Sequence, residues 1–337
     1  MVAYTGIQGQ NILIVSSDPA NPVEGQIWYN STSNLLKGYQ NVVVAAAWAS
    51  GGNMNTARRY LAGFGTQTAA IGASAYDNTN ALVGTTESYN GTSWTTVNPM
   101  AQGTTRTSGT GTQTAGLRIG GSAPYATTQN NTEEYNGTNW STGGTLNTAR
   151  GSNASSGSQT SALTFGGSNP GHVTQITLTE LYNGTSWTAN PTGLNTARLS
   201  LAGAGTQTAS LAFGGNTSGS PPYSTASESW NGTSWTNTPS LNTGRHWISG
   251  FGTQTQAVAA GGNTGSPSGA TEIWNGSTWT SSPVSLASAR YGSAGAGTQS
   301  AGIVIAGYSG PLGGALTATE EWTGPSTSLQ TKTITTS

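Results

Sequence analysis

Charged side chains are scarce enough in this chain to be followed one at a time. Ten of 337 residues are Lys or Arg, eleven are Asp or Glu, two are His and none is Cys. Six of the cations recur at a regular spacing, Arg58, Arg106, Arg150, Arg198, Arg245 and Arg290. Six of the acids do the same, Glu87, Glu133, Glu180, Glu228, Glu272 and Glu320. One Arg and one Glu per repeat suggests a paired or hydrogen-bonded network inside each repeat, since partly buried charges persist when paired and Arg offers five donors in a fixed fork. A ring of arginines holding an anion is the competing reading, but it would demand six equivalent copies of one site. Little remains for catalysis. His172 and His246 stand in different repeats, which argues against a two-histidine metal centre. Without Cys there is no thiolate chemistry and no disulfide. The acids outside the repeat positions, Asp18, Glu24, Asp77, Glu134 and Glu321, form no paired-carboxylate pattern. No G-x-S-x-G, P-loop or dinucleotide fingerprint occurs. The chain is read as a non-enzyme with no metal and no cofactor.

The elements that carry these charges belong to a unit of about 46 residues. TESYNGTSW (86–94) returns as TEEYNGTNW (132–140), TELYNGTSW (179–187), SESWNGTSW (227–235), TEIWNGSTW (271–279) and, altered, TEEWTGPST (319–327). Each unit opens on an Arg and passes through a GTQT-type turn. A short apolar run then ends in small residues such as LAFGG, and a variable loop leads to the TE-x-aromatic stretch, Asn-Gly and Trp. Each piece reads as a short strand with its turn, here lettered a (after Arg), b (ending in Gly-Gly), c (TE-x-aromatic) and d (Trp). Asn-Gly between aromatic runs signals a tight hairpin with both turn residues at positive φ. Nothing has helical periodicity. The d-strand tryptophans are Trp94, Trp140, Trp187, Trp235 and Trp279, and the sixth unit has none. Trp48 stands before the first Arg as the others stand before theirs, so an N-terminal strand is expected to complete the last unit; LQTKTITTS (329–337) is the competing strand. The aromatic residues of strands c and d are expected to be core between units.

In this order, Gly-Gly, aromatic, Trp and Arg resemble kelch repeats over roughly residues 41–324. The resemblance implies an all-β, six-bladed kelch-like β-propeller with four antiparallel strands per blade. Residues 1–40 lie outside the repeat, and NPVEGQIWYNSTSNLLKGYQ reads as a β-hairpin extension. Its EGQ-apolar-WYN and apolar-K-G-Y runs resemble a segment common in bacteriophage virion and tail-fibre proteins, and the repeat itself is similar to kelch-like proteins of marine phages. Residues 325–337 are left as a C-terminal strand or tail.

The function this resemblance implies is that of a non-enzymatic virion structural or adhesion protein. It would be made in the host cytoplasm and stand outside the cell after lysis. Residues 1–40 would contact other virion proteins in an oligomeric assembly, and the propeller would present loops to a host-surface glycan or protein. A net charge of −1 suggests no nucleic-acid partner. The absence of an 18-residue apolar run suggests no membrane insertion. A phage glycan hydrolase or lyase and a bacterial surface module are the alternatives. Variable loops on a rigid scaffold are where recognition usually sits. Antiparallel topology puts the b–c loops on one face, and the candidates there are Tyr76, Asp77, Tyr125, His172, Tyr223 and Tyr308.

Overall fold

The computed structural model describes residues 12–123, 127–171, 174–219, 222–310 and 313–334. Their regular structure is all strand. Tyr125 and His172 lie outside the described residues. The chain divides into two compact units, Ala47–Gly324 and a second formed by Met1–Ala46 together with Pro325–Ser337.

Among its described residues Ala47–Gly324 forms six four-stranded antiparallel sheets in a propeller-like arrangement. The fourth shows the pattern, with Ala202–Gly205, Ser210–Phe213, Ser227–Trp230 and Trp235–Thr238 as strands a to d. The tight a–b turn requires Gly205, at φ +118°, because a Cβ there would lie 2.2 Å from the Ala209 carbonyl oxygen. The c–d turn differs from the expected two-residue hairpin. Tyr89 pairs with Trp94, so four residues form the loop, and only Gly91 takes positive φ. Asn90 instead accepts the amides of Thr92 and Ser93 on its Oδ1, both at 2.9 Å. An Asx side chain thus does the work of a second left-handed residue.

Two repeated bonds join each sheet to the one before it. The d-strand Trp donates its Nε1–H to the hydroxyl that opens strand c of the preceding sheet: Trp140 to Thr86, Trp187 to Thr132, Trp235 to Thr179 and Trp279 to Ser227, at 2.9–3.4 Å. The Gln of each a–b turn donates to the carbonyl ending strand c of the preceding sheet, as Gln207 does to Tyr182 at 2.5 Å. Both series return to their start, since Trp94 donates to Thr319 at 3.0 Å and Gln67 to the Trp322 carbonyl at 2.8 Å.

The sixth sheet combines Ala294–Gly297, Ala301–Ile305 and Thr319–Thr323 with Ala47–Ser50 from the other end of the chain. Trp48 pairs with Trp322, and its indole donates to Thr271 at 3.0 Å like the other d-strand tryptophans. The competing segment goes elsewhere: Ser326–Thr333 runs antiparallel to Leu35–Val44. Along the chain the two units meet at 46/47 and 324/325. Residues 41–44 continue a strand begun at Leu35, and the C-terminal segment joins the N-terminal unit through backbone bonds.

That smaller unit is a four-stranded sheet in the order Leu13–Val15, Ile27–Asn30, Leu35–Val44, Ser326–Thr333. The expected hairpin is its centre, with Ile27 opposite Gly38. Asp18 gathers three side chains beside it: Lys37 Nζ at 2.7 Å, Asn30 Nδ2 at 2.7 Å and the Trp28 indole at 3.0 Å. The Lys37 bond, then those of Asn30 and Trp28, hold the Asp18 carboxyl at about 2 against an ordinary 3.8. A depressed carboxyl stabilises the fold above its unfolded value and loses that contribution as it protonates. The hub is thus expected to weaken as pH falls from 3.8 toward about 2. The Trp28 indole N–H resonance should shift with a midpoint near 2, and Asp18→Asn should abolish the shift. A midpoint near 3.8 would show that the hub does not form.

Candidate functional site

Five of the six expected Arg–Glu pairs form: Arg58–Glu87, Arg150–Glu180 at 2.5 Å, Arg198–Glu228 at 2.8 Å, Arg245–Glu272 at 3.0 Å and Arg290–Glu320 at 2.5 Å. All five arginines are fully buried. Burial pushes their proton affinity down and the carboxylate opposes it, as at Arg198 beside Glu228. The Nη1 of each fork is also occupied, by backbone carbonyls, so these groups hold their own sheets together. Arg198 Nη1 donates to the carbonyls of Gly214 and Ala226, both at 2.7 Å. Glu228 additionally accepts the Asn195 amide at 2.7 Å.

Arg106 breaks the pattern and corrects the sequence reading. Glu133 pairs with Arg118, from strand b, at 2.6 Å. The reason is register. In the other five repeats the Arg precedes the turn Gly by seven residues, as Arg198 precedes Gly205, but Arg106 precedes Gly111 by five. The structural slot belongs to Thr104, which is fully buried. Arg106 therefore occupies the position two residues beyond the slot, which the other sheets fill with Tyr60, Ser152, Ser200, Trp247 and Gly292.

Those six residues form a ring. Each has a left-handed backbone, with φ between 52° and 62°. Each amide donates to the carbonyl of its counterpart in the preceding sheet. Arg106 bonds to Tyr60 at 2.9 Å, Ser152 to Arg106 at 2.7 Å, Ser200 to Ser152 at 2.8 Å and Trp247 to Ser200 at 2.7 Å. Gly292 bonds to Trp247 at 3.0 Å, and Tyr60 closes the circle on Gly292 at 2.7 Å. These six residues line a cavity of about 120 Å³, whose wall also includes Asn153, Ser155, Ser249 and Ser293.

One side of this mouth is aromatic. The Tyr60 ring lies 4.4 Å from that of Trp247, centre to centre. It can do so because the neighbouring ring position is Gly292, where a Cβ would fall 2.5 Å from the Tyr60 ring. The aromatic arc continues through Tyr291, 6.3 Å from Tyr60, to Tyr308, 5.3 Å from Tyr291. Arg59 covers the Tyr308 ring at 4.4 Å. On the other flank His246 follows Trp247 at 6.4 Å and Tyr223 follows His246 at 5.4 Å. Burial holds His246 down to about 4, so it is neutral at pH 7. Burial, with Tyr291 alongside, raises Tyr60 well above the ordinary phenol value.

The variable loops share this face. The residue after each structural slot bridges to the start of its b–c loop, as Arg59 does to Tyr76, His246 to Asn263 and Tyr291 to Tyr308. Of the expected contact residues, Tyr223 and Tyr308 join the aromatic arc. Tyr76 is engaged through its backbone. Asp77 is committed to its own turn, accepting the Thr79 amide at 2.8 Å, the Thr79 hydroxyl at 2.7 Å and the Ala81 amide at 2.9 Å. The residues missed from sequence are Tyr60, Trp247, Tyr291 and Arg59. All lie within two residues of a structural slot, and counting back from each turn Gly would have exposed them.

The cavity lining contains no Asp or Glu. Among the described residues no three His, Asp or Glu come together as a metal site, and no helix is long and apolar enough to cross a membrane. No known family model and no curated protein matches the chain. Its fold does match a solved structure, that of YjhT. The TM-score is 0.67 at 10% identity, with 82% of this chain and 99% of that chain covered. The class defined is thus an all-β repeat protein of propeller-like arrangement, similar in fold to YjhT.

Proposed function

We propose that Ala47–Gly324 is a six-bladed kelch-like β-propeller acting as a non-enzymatic binding module. The b–c loop face is the binding face, within a bacteriophage virion structural or adhesion protein, a tail-fibre or appendage component. The observation that carries the binding reading is the mouth itself. Six sheets converge on a cavity with an aromatic arc, hydroxyl side chains and Arg106, and no acid or activated nucleophile accompanies them. What supports the virion context is the resemblance of residues 24–39 to phage tail-fibre segments. Residues 1–40 would then engage other virion proteins in an oligomer, and the protein would act outside the cell after lysis. Two measurements test this. Mass spectrometry of purified virions should find the chain. Purified protein should adhere to intact host bacteria and lose that adhesion in the Tyr60→Ala, Trp247→Ala double variant. Absence from virions removes the virion role, and adhesion indifferent to those two residues removes the binding face.

A further inference from the structure

Strand edges single out one place. Each of the six sheets of Ala47–Gly324 ends outward on a strand of only three or four residues, as Trp94–Val97 does. The sheet of the smaller unit is different. One of its edges, Leu13–Val15, has three residues, but the other, Ser326–Thr333, has eight. Six of those eight are exposed. Folded chains blunt such edges with short strands, bulges, proline or charge, because an unpaired row of N–H and C=O groups is a template for another strand. This edge keeps an unbroken register with Leu35–Val44, contains no proline and carries one charge, Lys332. The smaller unit also holds eight of the nine large apolar side chains exposed among the described residues. Leu329, in the middle of the edge, is one of them, so the edge offers apolar contact as well as backbone groups.

The ladder fixes which backbone groups are free. Tyr39 donates its amide to the Gln26 carbonyl at 2.9 Å, and its carbonyl accepts the Gly25 amide at 2.8 Å. Both of its polar groups therefore turn away from Ser326–Thr333. Antiparallel pairing alternates along a strand, so Gly38, Gln40, Val42 and Val44 are the residues that bond to Lys332, Gln330, Ser328 and Ser326. The N–H and C=O groups of Thr327, Leu329, Thr331 and Thr333 point outward.

We propose that this edge pairs with the same edge of a second copy, antiparallel about a two-fold axis, with Gln330 opposite its own counterpart. That register engages all four outward residues. Thr327 meets Thr333 and Leu329 meets Thr331 across the axis, and each such pair exchanges two backbone bonds. The side chains agree with it, since threonine opposite threonine is a favoured cross-strand pair. Lys332 falls opposite Ser328, so the two copies of Lys332 stand four residues apart, about 14 Å, beyond the ~10 Å screening length at 0.1 M salt. The smaller unit carries two acids, Asp18 and Glu24, and two cations, Lys37 and Lys332, so two copies approach without net repulsion. Pairing with Leu13–Val15 of a second copy would engage three residues at most, which favours the edge meeting itself. The contact gives the oligomer of the reading above a surface. It concerns the purified chain alone, however, so absence from virions or loss of adhesion leaves it standing.

Sedimentation velocity of the full chain, at micromolar to submillimolar concentration, is expected to show twice the monomer mass of 34.0 kDa. Thr331→Pro is expected to return the chain to a monomer. It removes an outward N–H from each edge, at a position that does not donate to Leu35–Val44, and proline is tolerated at such edge positions. The Trp28 indole resonance should therefore stay where it is. Because the chain has no cysteine, the register can be read directly. Gln330→Cys sets two sulfurs at a non-hydrogen-bonded pair with roughly 4.5 Å between Cα atoms, within reach of a disulfide. It is expected to form a covalent dimer under mild oxidation with copper–phenanthroline, and Lys332→Cys, at about 14 Å, is expected to stay monomeric on a denaturing gel. A monomer at every concentration, or a trimer, overturns the proposal. So does a Thr331→Pro protein that remains dimeric, or crosslinking through Lys332→Cys as fast as through Gln330→Cys. Should the proline displace the Trp28 resonance, the two cysteine variants decide alone.

Discussion

Arg198→Ala is expected to cost about 3–5 kcal/mol of unfolding free energy, the range for removing one partner of a buried ion pair. The side chain is fully buried, and the substitution removes its bonds to Glu228 and to the carbonyls of Gly214 and Ala226. Glu228 would remain buried, keeping the Asn195 amide but losing its only cationic partner. Arg198→Lys is expected to fail nearly as badly, since an ammonium cannot reproduce the fork that reaches three acceptors. Equilibrium urea unfolding measures both. The contrast is Arg106→Ala, an arginine of the same chain with no such partners, for which a change within ~0.5 kcal/mol is expected, as for ordinary surface positions. A loss below ~0.5 kcal/mol for Arg198→Ala would mean that the pair is not the organiser of its sheet.

Replacing Ala47–Ser50 with four glycines is expected to be comparably damaging. The sixth sheet would lose its outer strand, the Trp48–Trp322 ring contact at 5.0 Å and the indole bond to Thr271. Loss of a large packed aromatic alone costs about 3–5 kcal/mol where the site cannot collapse. The strand Thr319–Thr323 would also gain a free edge, which invites pairing with a second chain. A lowered urea midpoint together with concentration-dependent association is therefore the expected result, read by unfolding curves and light scattering. Leu329→Ala is the control. Leu329 pairs with Asn41 in the other unit and should leave the unfolding of Ala47–Gly324 unchanged. If the glycine replacement unfolds like the parent while Leu329→Ala destabilises Ala47–Gly324, the assignment of the closing strand is reversed.

Repetition made most of the architecture readable. A Gly at each a–b turn, a small-residue pair after strand b and an aromatic in strand c are local requirements, and local requirements are written at every copy. The missing sixth Trp and the Trp48 before the first Arg made the N-terminal strand the favoured of two candidates for closing the last sheet, because a sheet needs its fourth strand and the other candidate, 329–337, has no Trp. Where a copy departs from the others, the reading slipped. Arg106 looked like a member of the series because Arg is rare here, although its distance from Gly111 already placed it two residues off register. The c–d turn was identified by Asn-Gly, but the part played by the Asn side chain belongs to the loop geometry.

The candidate site is the opposite case. Tyr60, Arg106, Ser152, Ser200, Trp247 and Gly292 span five residue types and lie about 46 residues apart. No motif spans them, and they meet because six backbone amides bond head to tail around one circle. From residue order alone came the strand content and the pairing of most repeated charges, since each depends on spacing within a repeat. Which side chains meet at the centre, and which arginines are left without a carboxylate, depended on the three-dimensional convergence of the sheets. That convergence sets contacts between residues whose separation along the chain carries no information about their chemistry.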